Sequence, residues 1–566
     1  MTSDVAESSD PADCLTGEHA ASWLHHFHVL VASREEWLTE LDTAIGDADH
    51  GVIMRQGAAA VSRAILDQRP TGVGATLSTA GSAFASTAGG AGGILFATFF
   101  QGLAAALTDR TTVSLVDFAN AFSAGVTCVQ ARGRADFDDK TMIDALLPAA
   151  HTLQVAAADE LSLPEAFTQT AAAAAAGRDA TFALVARRGR ASYLGDRSAN
   201  HLDPGAATAA LLLEALASTN RTSIDPHQKR KTTMSNNRQF INQPDDVIGE
   251  ALEGLVATHP TLLTLDSASQ LISRAQKATG KVGLLSGGGS GHEPLHAGFV
   301  GTGMLDVAVA GAVFASPTAQ QVQAGTRLAD NGAGVLHIVK NYTGDVLNFE
   351  IAAELAADEG VEVESVLVDD DLASDSDNDG PGRRGTAAVI TVEKVCGALA
   401  EQGADLATIA AAGRDVVNRS RTLALSLDGC THPGDTDPAF TLTPTEVEFG
   451  VGIHGERGTA RIPFADADTL TERLVLPLID SLGLTSGQPV IAIVNGLGGT
   501  YPLELSIVAR NMHRILSSRG IPVARSLVGS YVTSLDMHGV SITFTVATDG
   551  IITAWDAPVR TPNLTW

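Results

Sequence analysis

Cysteine and positive charge are scarce in this chain, and each shortage excludes a class of protein. Four of the 566 residues are cysteines, widely separated and without a CxxC pair, which excludes a disulfide scaffold and a thiolate zinc site. Lysine and arginine total 37 against 65 acidic residues, and the resulting net charge of −28 excludes a general nucleic-acid binder. A phosphate-bearing cofactor is still compatible with this charge, because a bound divalent cation can reverse the local field.

Long apolar segments are also scarce. The N-terminus, MTSDVAESSDPAD, has no apolar core and does not resemble a signal peptide, so we expect a cytoplasmic protein. One uncharged stretch, AGGAGGILFATFFQGLAAAL (88–107), is long enough to span a bilayer. It contains Thr98 and Gln101 and lacks an aromatic belt or a basic flank. We therefore expect a helix buried inside a bundle and no membrane partner.

The chain is too long for one compact core and divides by composition into two halves. Domains usually hold about 100–200 residues, so this length predicts at least two. The polar segment 219–237 has almost nothing to bury and is interpreted as a linker. Apolar residues at helical spacing predict a helical half at 17–218, after a flexible tail at 1–16. Strand-like runs alternating with helical stretches predict an α/β half with a largely parallel sheet at 238–566.

An acidic cluster marks the start of the helical half. The segment LDTAIGDADHG places Asp42, Asp47 and Asp49 where a helix end and a turn at Gly46 could bring the carboxylates together. Converging carboxylates raise each other's pKa unless a cation holds them, and oxygen ligands of this kind suit magnesium. A capped helix end with solvated aspartates explains the same residues equally well, so the cluster alone leaves both interpretations open.

Two further segments of the helical half are candidates for contact with a nucleotide. The glycine-rich run STAGGAGG (86–93) would offer backbone N–H groups at the start of the apolar helix, an arrangement that favours anions. The segment 188–206 combines arginines with the turn signal Asp203-Pro204-Gly205. There is no Walker A motif, so a nucleotide site here must be of another kind.

In the α/β half, a strand, a glycine turn and two histidines follow each other in LLSGGGSGHEPLHAG (284–298). His292 and His296 formally match the zinc-protease pattern HExxH, but Pro294 and the glycines argue against the shared helix face that this pattern requires. A glycine turn after a parallel strand is instead typical of a small-ligand site.

Lys340, Asp345 and His454 are further candidates for chemistry. Lys340 and Asp345 follow another predicted strand in KNYTGD, where they could form a surface pair or a substrate clamp beside a general base. His454 stands among glycines in FGVGIHGERG, which favours either a nucleophilic or hydrogen-bonding role or a plain turn histidine. These residues alone do not decide between the alternatives.

Together these motifs resemble the signatures of the dihydroxyacetone kinase family over nearly the whole chain outside the tail and linker. The segment DKTMIDALLPA (139–149) is also similar to the family's helical L-type domain, whose main signature here is Leu41–Gly51. The signatures of its α/β K-type domain occur in order at Gly287–Pro294, Lys340–Asp345, Gly382–Gly385, Gly452–Glu456 and Thr533–Met537.

The resemblance implies that the N-terminal half is an all-α eight-helix barrel that holds ATP. Two Mg²⁺ ions would be bound by Asp42, Asp47 and Asp49. The nucleotide contacts implied by the resemblance are His50, Gly51, Val52, Ile53, Gly89, Gly90, Ala91, Gly92, Gly133, Met142, Arg190, Asp203, Pro204 and Gly205.

The resemblance further implies that the C-terminal half has two subdomains and binds a short ketose. His454 would hold the ketose carbonyl as a hemiaminal, with Asp345 as general base and His292 assisting. The substrate hydroxyls would be held by Gly289, Ser290, Gly291, His292, Lys340 and Asp345. A homodimer through this half is expected, and no phosphocarrier protein, because the nucleotide domain is fused.

Two departures from the family pattern bear on function. The L-type domain comes first here, an order associated with erythrulose kinases, so D-erythrulose or dihydroxyacetone is the expected substrate. Ala91 and Gly92 replace two hydroxyl residues of the usual GGTSG loop. The expected activity is an ATP-dependent ketose kinase. FAD-AMP lyase (cyclising) activity at the same nucleotide site and a non-catalytic ketose-sensing coregulator are the alternatives.

Overall fold

The structure is a computed structural model that describes residues 14–46, 50–219, 239–375 and 382–566. The chain separates into two compact units, residues 1–231 and 232–566. The first unit contains the helical half of the sequence, and the second contains the α/β half. Each unit is described by itself.

The first unit is helical, as predicted. Its helices are α1 (Gly17–Ser33), α2 (Glu35–Ile45), α3 (His50–Gln68), α4 (Val73–Thr87), α5 (Gly90–Ala106), α6 (Leu115–Gly133), α7 (Ile143–Ala158), α8 (Leu163–Ala180) and α9 (Pro204–Ala217). Two short 3₁₀ segments (Thr181–Ala183 and Arg190–Ser198) and the two-residue strands β1 (Leu15–Thr16) and β2 (Thr112–Val113) complete the described part. Only Arg34 separates α1 from α2, so counting these two as one bent stretch gives the eight helices that the resemblance implies.

The apolar helix α5 lies at the centre of this unit. Phe96 stacks on Phe27 and Phe84 with ring centroids 6.2 and 5.8 Å apart, and Phe99 meets Phe122 edge to face at 5.1 Å. The buried residues of α5 pack against α3, α4 and α6, while Gln101, Ala105 and Ala106 in its C-terminal part are exposed. No helix in the described ranges is long and apolar enough to cross a membrane.

The second unit is built from two mixed sheets and their covering helices. Its strands are β3 (Leu263–Asp266), β4 (Leu271–Arg274), β5 (Gly283–Ser290), β6 (Val307–Val313), β7 (Val335–Lys340), β8 (Val363–Val368), β9 (Ser420–Ser426), β10 (Glu446–Phe449), β11 (Ala460–Pro463), β12 (Val490–Gly496), β13 (Val523–Gly529) and β14 (Gly539–Val546). Its helices are α10 (Val247–Thr258), α11 (Ala319–Ala329), α12 (Thr343–Asp358), α13 (Ala388–Glu401), α14 (Leu406–Asn418), α15 (Ala467–Ser481), α16 (Pro502–Ser518) and α17 (Asp549–Asp556).

The two sheets differ in strand direction. The first has the order β3-β4-β6-β5-β7-β8. Within it, the four consecutive strands β6, β5, β7 and β8 run parallel to one another, as predicted. The second has the order β11-β10-β9-β14-β12-β13, and only β12 and β13 are parallel. The prediction of a largely parallel sheet is therefore wrong for the second sheet, because β14 lies between β9 and β12 and is antiparallel to both.

Helix α13 joins the two sheets into one core. It contacts β5 and β7 of the first sheet and β9 and β14 of the second. Nearly all its side chains are buried, including the charged Glu393 and Lys394. A buried charged group is costly unless it has a nearby polar partner, so we expect Glu393 and Lys394 to contact polar groups in the interior.

Candidate active site

The glycine-rich end of β5 lets neighbouring groups come close to the strand. All eight residues of β5 are buried, and the strand lies between β6 and β7. A Cβ on Gly288 would collide with Nζ of Lys340, and a Cβ on Gly289 would lie 2.6 Å from the backbone of Phe314. Glycine at these two positions therefore allows Lys340 and Phe314 to approach the strand.

His292 lies in the turn after β5, and this turn is not a helix. Residues 291–296 form turns and bends, so His292 and His296 do not share a helix face and the zinc-protease pattern is not formed. Nδ1 of His292 donates to the carbonyl oxygen of Thr533 at 2.8 Å, and the Thr533 hydroxyl donates to the carbonyl oxygen of Gly291 at 3.2 Å. The segment that carries the TSLDM signature therefore orients the His292 ring.

Lys340 and Asp345 form a buried pair beside this turn. Lys340 is the last residue of β7, and Asp345 lies in the first turn of α12. Nζ of Lys340 is 3.9 Å from Oδ2 of Asp345, and both side chains are buried. Burial lowers the pKa of Lys340, while Asp345 and Glu393 act in the opposite direction. The pair lies at the carboxyl end of parallel strands, where α/β sheets bind ligands.

His454 is enclosed by aromatic rings. Its ring centroid lies 4.7 Å from that of His292, 4.3 Å from Tyr342 and 5.5 Å from Phe314, all edge to face. The side chain is 2% exposed, and its backbone N–H donates to Oε2 of Glu456 at 2.7 Å. An imidazole held this firmly loses little further freedom when it engages a ligand.

The predicted hydroxyl ligands of the glycine turn already have partners in the protein. The Ser290 hydroxyl donates to the carbonyl oxygen of Gly311 at 2.9 Å, and the Gly291 N–H donates to Oε2 of Glu293 at 2.9 Å. A cavity of about 670 Å³ borders Gly289, Ser290 and Gly291 on the side of α10, with a mainly apolar lining. Neither His454 nor Asp345 lines that cavity, so these two residues belong to a different part of the site.

In the helical unit, Asp42 and His50 lie together against α9. Asp42 is in the last turn of α2, and His50 begins α3. The His50 backbone N–H donates to Oδ2 of Asp42 at 3.2 Å, and its Nε2 is 2.7 Å from Oγ1 of Thr208 on α9. Burial lowers the pKa of His50, against the opposite influence of Asp42.

Asp203 brings a second buried carboxylate to this region. It caps α9, and its Oδ2 accepts the N–H of Ala206 at 2.6 Å. Burial raises the pKa of Asp203 to about 7, and the nearby Asp144 and Asp42 act in the same direction. Gly205, in the first turn of the same helix, lies so close to Met142 that a Cβ would be 3.5 Å from the Met142 backbone nitrogen.

The predicted glycine run forms the junction between α4 and α5. Gly90 has φ of +68°, and a Cβ on Gly93 would overlap the carbonyl oxygen of Ala88. Gly89 occupies the N-cap of α5, where no side-chain oxygen of the described residues satisfies the first N–H groups. The first backbone N–H groups of α5, which include those of Ala91 and Gly92, are arranged as in helix starts that bind phosphate.

The remaining predicted nucleotide contacts lie on the elements around this junction. Ile53 of α3 comes near the Cβ position of Gly90, at 3.5 Å, and Gly133 at the end of α6 lies beside Leu95 of α5. Arg190 begins a 3₁₀ segment whose Ala191 packs on Ile45 at the end of α2. Gly51 and Val52 lie in the first turn of α3, and Pro204 is the first residue of α9. Their contact with a nucleotide stays a prediction.

The metal prediction falls partly outside the described residues. Asp47 and Asp49 are not among them, and within the described ranges no group of three or more metal-ligating side chains occurs. The residues that are described do fit a cation. Asp42 and Asp203 are both buried; burial is the main cause of the raised pKa of Asp203, Asp144 and Asp42 add to it, and a divalent cation would favour the ionised carboxylate.

Sequence reasoning missed several residues that shape the two sites. Lys140 is buried and donates to the carbonyl oxygens of Thr181, Leu184 and His201, which ties the 3₁₀ segments to the start of α7. Lys140, Tyr342 and Glu456 lie inside quoted motifs and could have been found there. Phe314 and Glu393 could not, because only tertiary packing brings them to the site.

The chain thus combines a helical unit with an α/β unit that buries His292, Lys340, Asp345 and His454. Residues 253–563 match the Dak1 domain and residues 44–218 match the DAK2 domain. The chain therefore belongs to the dihydroxyacetone kinase family, as the motifs predicted, with the DAK2 domain preceding the Dak1 domain.

Three similar proteins show the breadth of the family. The dihydroxyacetone-binding subunit DhaK of a PTS-dependent dihydroxyacetone kinase of Listeria innocua is 44% identical over 306 residues, which covers 54% of this chain and 93% of that subunit. Triokinase/FMN cyclase of Rattus norvegicus is 43% identical over 328 residues, covering 56% of each chain. The dihydroxyacetone kinase of C. freundii, solved in complex with AMP-PNP and Mg²⁺, is 36% identical with a TM-score of 0.53, covering 58% of this chain and 61% of that one.

Proposed function

We propose that this chain is an ATP-dependent kinase that phosphorylates a primary hydroxyl of a short ketose, with D-erythrulose and dihydroxyacetone as the candidate substrates. The proposal depends on two observations in the same unit. The ring centroids of His454 and His292 lie 4.7 Å apart, and Lys340 and Asp345 form a buried pair. The relatives' names, dihydroxyacetone kinase and triokinase, support this substrate class.

His454 accounts for selection of a carbonyl compound. A ring nitrogen of His454 adds to the ketose carbonyl carbon as the C=O π bond opens; the oxygen takes up a proton and the imidazole loses its ring N–H proton, which gives a neutral hemiaminal. Glycerol has hydroxyls of similar placement but no carbonyl carbon, so it cannot form this bond. His292, edge to face with His454, is placed to assist at the same carbonyl.

Asp345 accounts for activation of the hydroxyl. Its carboxylate accepts the proton of the attacking hydroxyl, while Lys340 holds a substrate oxygen. Positioning supplies most of the remaining acceleration in phosphoryl transfer. In the helical unit, Asp42, with Asp47 and Asp49 as predicted further ligands, would hold Mg²⁺, which when bound offsets the charge of the ATP phosphates.

An ADP-release assay with Mg²⁺-ATP against dihydroxyacetone, D-erythrulose, L-erythrulose and glycerol tests this function. Turnover on a ketose and none on glycerol is expected, and kcat/KM identifies the preferred substrate. Asp345→Asn serves as the matched control, because it keeps the shape of the side chain and removes the base. Turnover on no ketose, or equal turnover on glycerol, contradicts the proposal.

FMN cyclase activity is a second candidate, which the name of the rat relative favours. The assay is release of AMP and a cyclic FMN product from FAD with Mn²⁺, compared between the wild type and Asp345→Asn. Because the cyclisation would use the nucleotide site of the helical unit, Asp345→Asn is expected to leave it unchanged while abolishing ketose phosphorylation. We propose no phosphocarrier partner, since the DAK2 domain is part of the chain, and a homodimer through the Dak1 domain, to be checked by sedimentation.

A further inference from the structure

The ammonium group of Lys340 is held from three sides. Nζ donates to the carbonyl oxygen of Gly287 at 3.2 Å and to Nε2 of His296 at 2.9 Å, and Oδ2 of Asp345 lies further away, at 3.9 Å. An ammonium has three protons to donate. Two of them are therefore committed to Gly287 and His296, and the third is left for Asp345 or a substrate oxygen.

The histidine that holds Lys340 is itself held by a buried carboxylate. Nδ1 of His296 lies 2.7 Å from Oε1 of Glu393 on α13, and both side chains are buried. A neutral imidazole has one donor and one acceptor nitrogen, and an ammonium cannot accept. With Lys340 as an ammonium, Nε2 accepts from it and the ring proton is on Nδ1, which donates to Oε1 of Glu393, a carboxyl whose pKa burial raises well above its usual value.

The surroundings of His296 favour this neutral form. Burial lowers the pKa of His296 well below its usual value, and Lys340 and His292 act in the same direction. The charged and titratable groups around the Lys340 ammonium are Asp345 on α12, His296 in the turn after β5 and Glu393 on α13. Lys340 is the predicted substrate-binding residue to which His296 is hydrogen-bonded, and His292 lies close enough to influence the pKa of His296.

We propose that His296 and Glu393 are positioning residues for phosphoryl transfer, which hold the Lys340 ammonium away from direct contact with the Asp345 carboxylate. Glu393 fixes the tautomer of His296, and His296 fixes Lys340. The inference rests on the proposed kinase function.

The reason for such an arrangement lies in the demands on a general base. A released ammonium would close the gap to Asp345 and form a contact ion pair. That pair would occupy a carboxylate oxygen and weaken the carboxylate as a base, since a close positive charge lowers its affinity for a proton. Holding Lys340 at a distance leaves Asp345 able to accept the substrate proton and still places a donor for a substrate oxygen.

Two substitutions of His296 separate positioning from simple packing. In His296→Gln the amide oxygen can accept from Lys340 and the amide N–H₂ can donate to Glu393, whereas His296→Leu fills the space without either group. We expect His296→Leu to lower kcat about 100-fold, the scale of a small misplacement of reacting groups. The KM for ketose should change little in comparison, and His296→Gln should restore most of kcat. Equal loss in both variants, or wild-type kcat in His296→Leu, overturns the proposal.

A spectroscopic measurement on the full chain tests the inference without turnover. In protein labelled with ¹⁵N-histidine, the His296 signal, assigned by its loss in His296→Gln, should report a neutral ring protonated at Nδ1. It should not titrate over the range in which exposed histidines do. Glu393→Gln, which keeps an acceptor oxygen, should preserve this tautomer, and Glu393→Leu should not. A ring protonated at Nε2, or titrating near its ordinary pKa, overturns the inference even if kinase activity is found. If the expected spectrum is found but the chain phosphorylates no ketose, the proposed kinase function is contradicted and the arrangement of Glu393, His296 and Lys340 is not.

Discussion

The carboxylate of Glu456 holds the backbone of His454. Its Oε2 accepts the His454 N–H at 2.7 Å, while its Oε1 accepts from the guanidinium of Arg384 at 3.2 Å. Arg384 is almost fully buried and also donates to Asp371 at 2.6 Å and to the carbonyl oxygen of Gly450 at 2.9 Å. His454, the histidine proposed to bind the ketose, is thus fixed through its main chain to a buried ionic network.

Replacing Glu456 should therefore affect the position of His454 more than the stability of the fold. Glu456→Ala removes the acceptor of the His454 N–H and one partner of Arg384, and we expect kcat/KM for ketose to fall by roughly 10- to 100-fold. Glu456→Gln retains an acceptor oxygen and should lose less. Glu446→Gln, a change on the neighbouring strand β10 at a partly exposed carboxylate, is the control and should leave kinetics unchanged. Steady-state kinetics of the three variants would contradict this account if Glu456→Ala matched the control.

Removing the His454 imidazole should erase the distinction between ketoses and glycerol. The covalent bond proposed at His454 exists only for a carbonyl compound, so His454→Ala should lose most activity on ketose, whereas any activity on glycerol should be unchanged. We expect kcat/KM for ketose to fall by about 100-fold or more. The ratio of kcat/KM for ketose to that for glycerol is the decisive quantity. An unchanged ratio in His454→Ala would show that selection for the carbonyl resides elsewhere.

The division into a helical and an α/β half was predictable because the apolar spacing changes between them. Helix α5 could be predicted for the same reason, since a run that is apolar all round and broken by Thr98 and Gln101 belongs inside a bundle. The strand-like runs VGLLSGGG (282–289), GVLHIVKNY (334–342), VESVLVDD (363–370) and PVIAIVNGLGG (489–499) coincide with β5, β7, β8 and β12. The antiparallel pairing of the second sheet was not predictable, because direction is set by which distant strands meet.

The site followed the same division between local and long-range information. His292, Lys340, Asp345 and His454 stand in short motifs, so they could be chosen as candidates from neighbouring residues, and their chemistry stays a prediction. The partners that orient them come from far along the chain: Thr533, which holds His292, is 241 residues away. Glu393 had no local signal at all, because a glutamate within an apolar helix is recognisable as part of a site only when packing shows what it faces.

The raised pKa of Asp203 predicts a pH dependence of stability in the absence of divalent metal. Its pKa is about 7 in the folded chain, well above the value of about 3.9 expected when unfolded. Between those two values the folded state binds the additional proton, so the free energy of unfolding falls as the pH rises from about 4 to about 7. The loss amounts to something on the order of 4 kcal/mol.

Asp203→Asn isolates this contribution, because an asparagine at the N-cap still accepts the Ala206 N–H and cannot ionise. Thermal unfolding in a chelator should show a gain for Asp203→Asn over the wild type that grows from pH 5 to pH 8. Adding Mg²⁺ at pH 8 should stabilise the wild type more than the variant, since a cation favours the ionised carboxylate. A difference between the two proteins that is constant with pH would exclude Asp203 as the titrating group.

Alanine substitutions in the glycine-rich junction between α4 and α5 should distinguish a glycine that is required by a close backbone approach from one that is not. A Cβ on Gly93 would overlap the carbonyl oxygen of Ala88, which is backbone and cannot move without shifting the junction. A Cβ on Gly92 would lie 3.2 Å from the terminal methyl of Met54, which can turn aside at little cost. Gly93→Ala should therefore weaken ATP binding and destabilise the helical unit by about 1–3 kcal/mol, whereas Gly92→Ala should bind ATP nearly as the wild type does. Calorimetric titration with Mg²⁺-ATP, alongside thermal unfolding, checks both, and equal affinities in the two variants would show that the approach of Gly93 to Ala88 does not shape the nucleotide site.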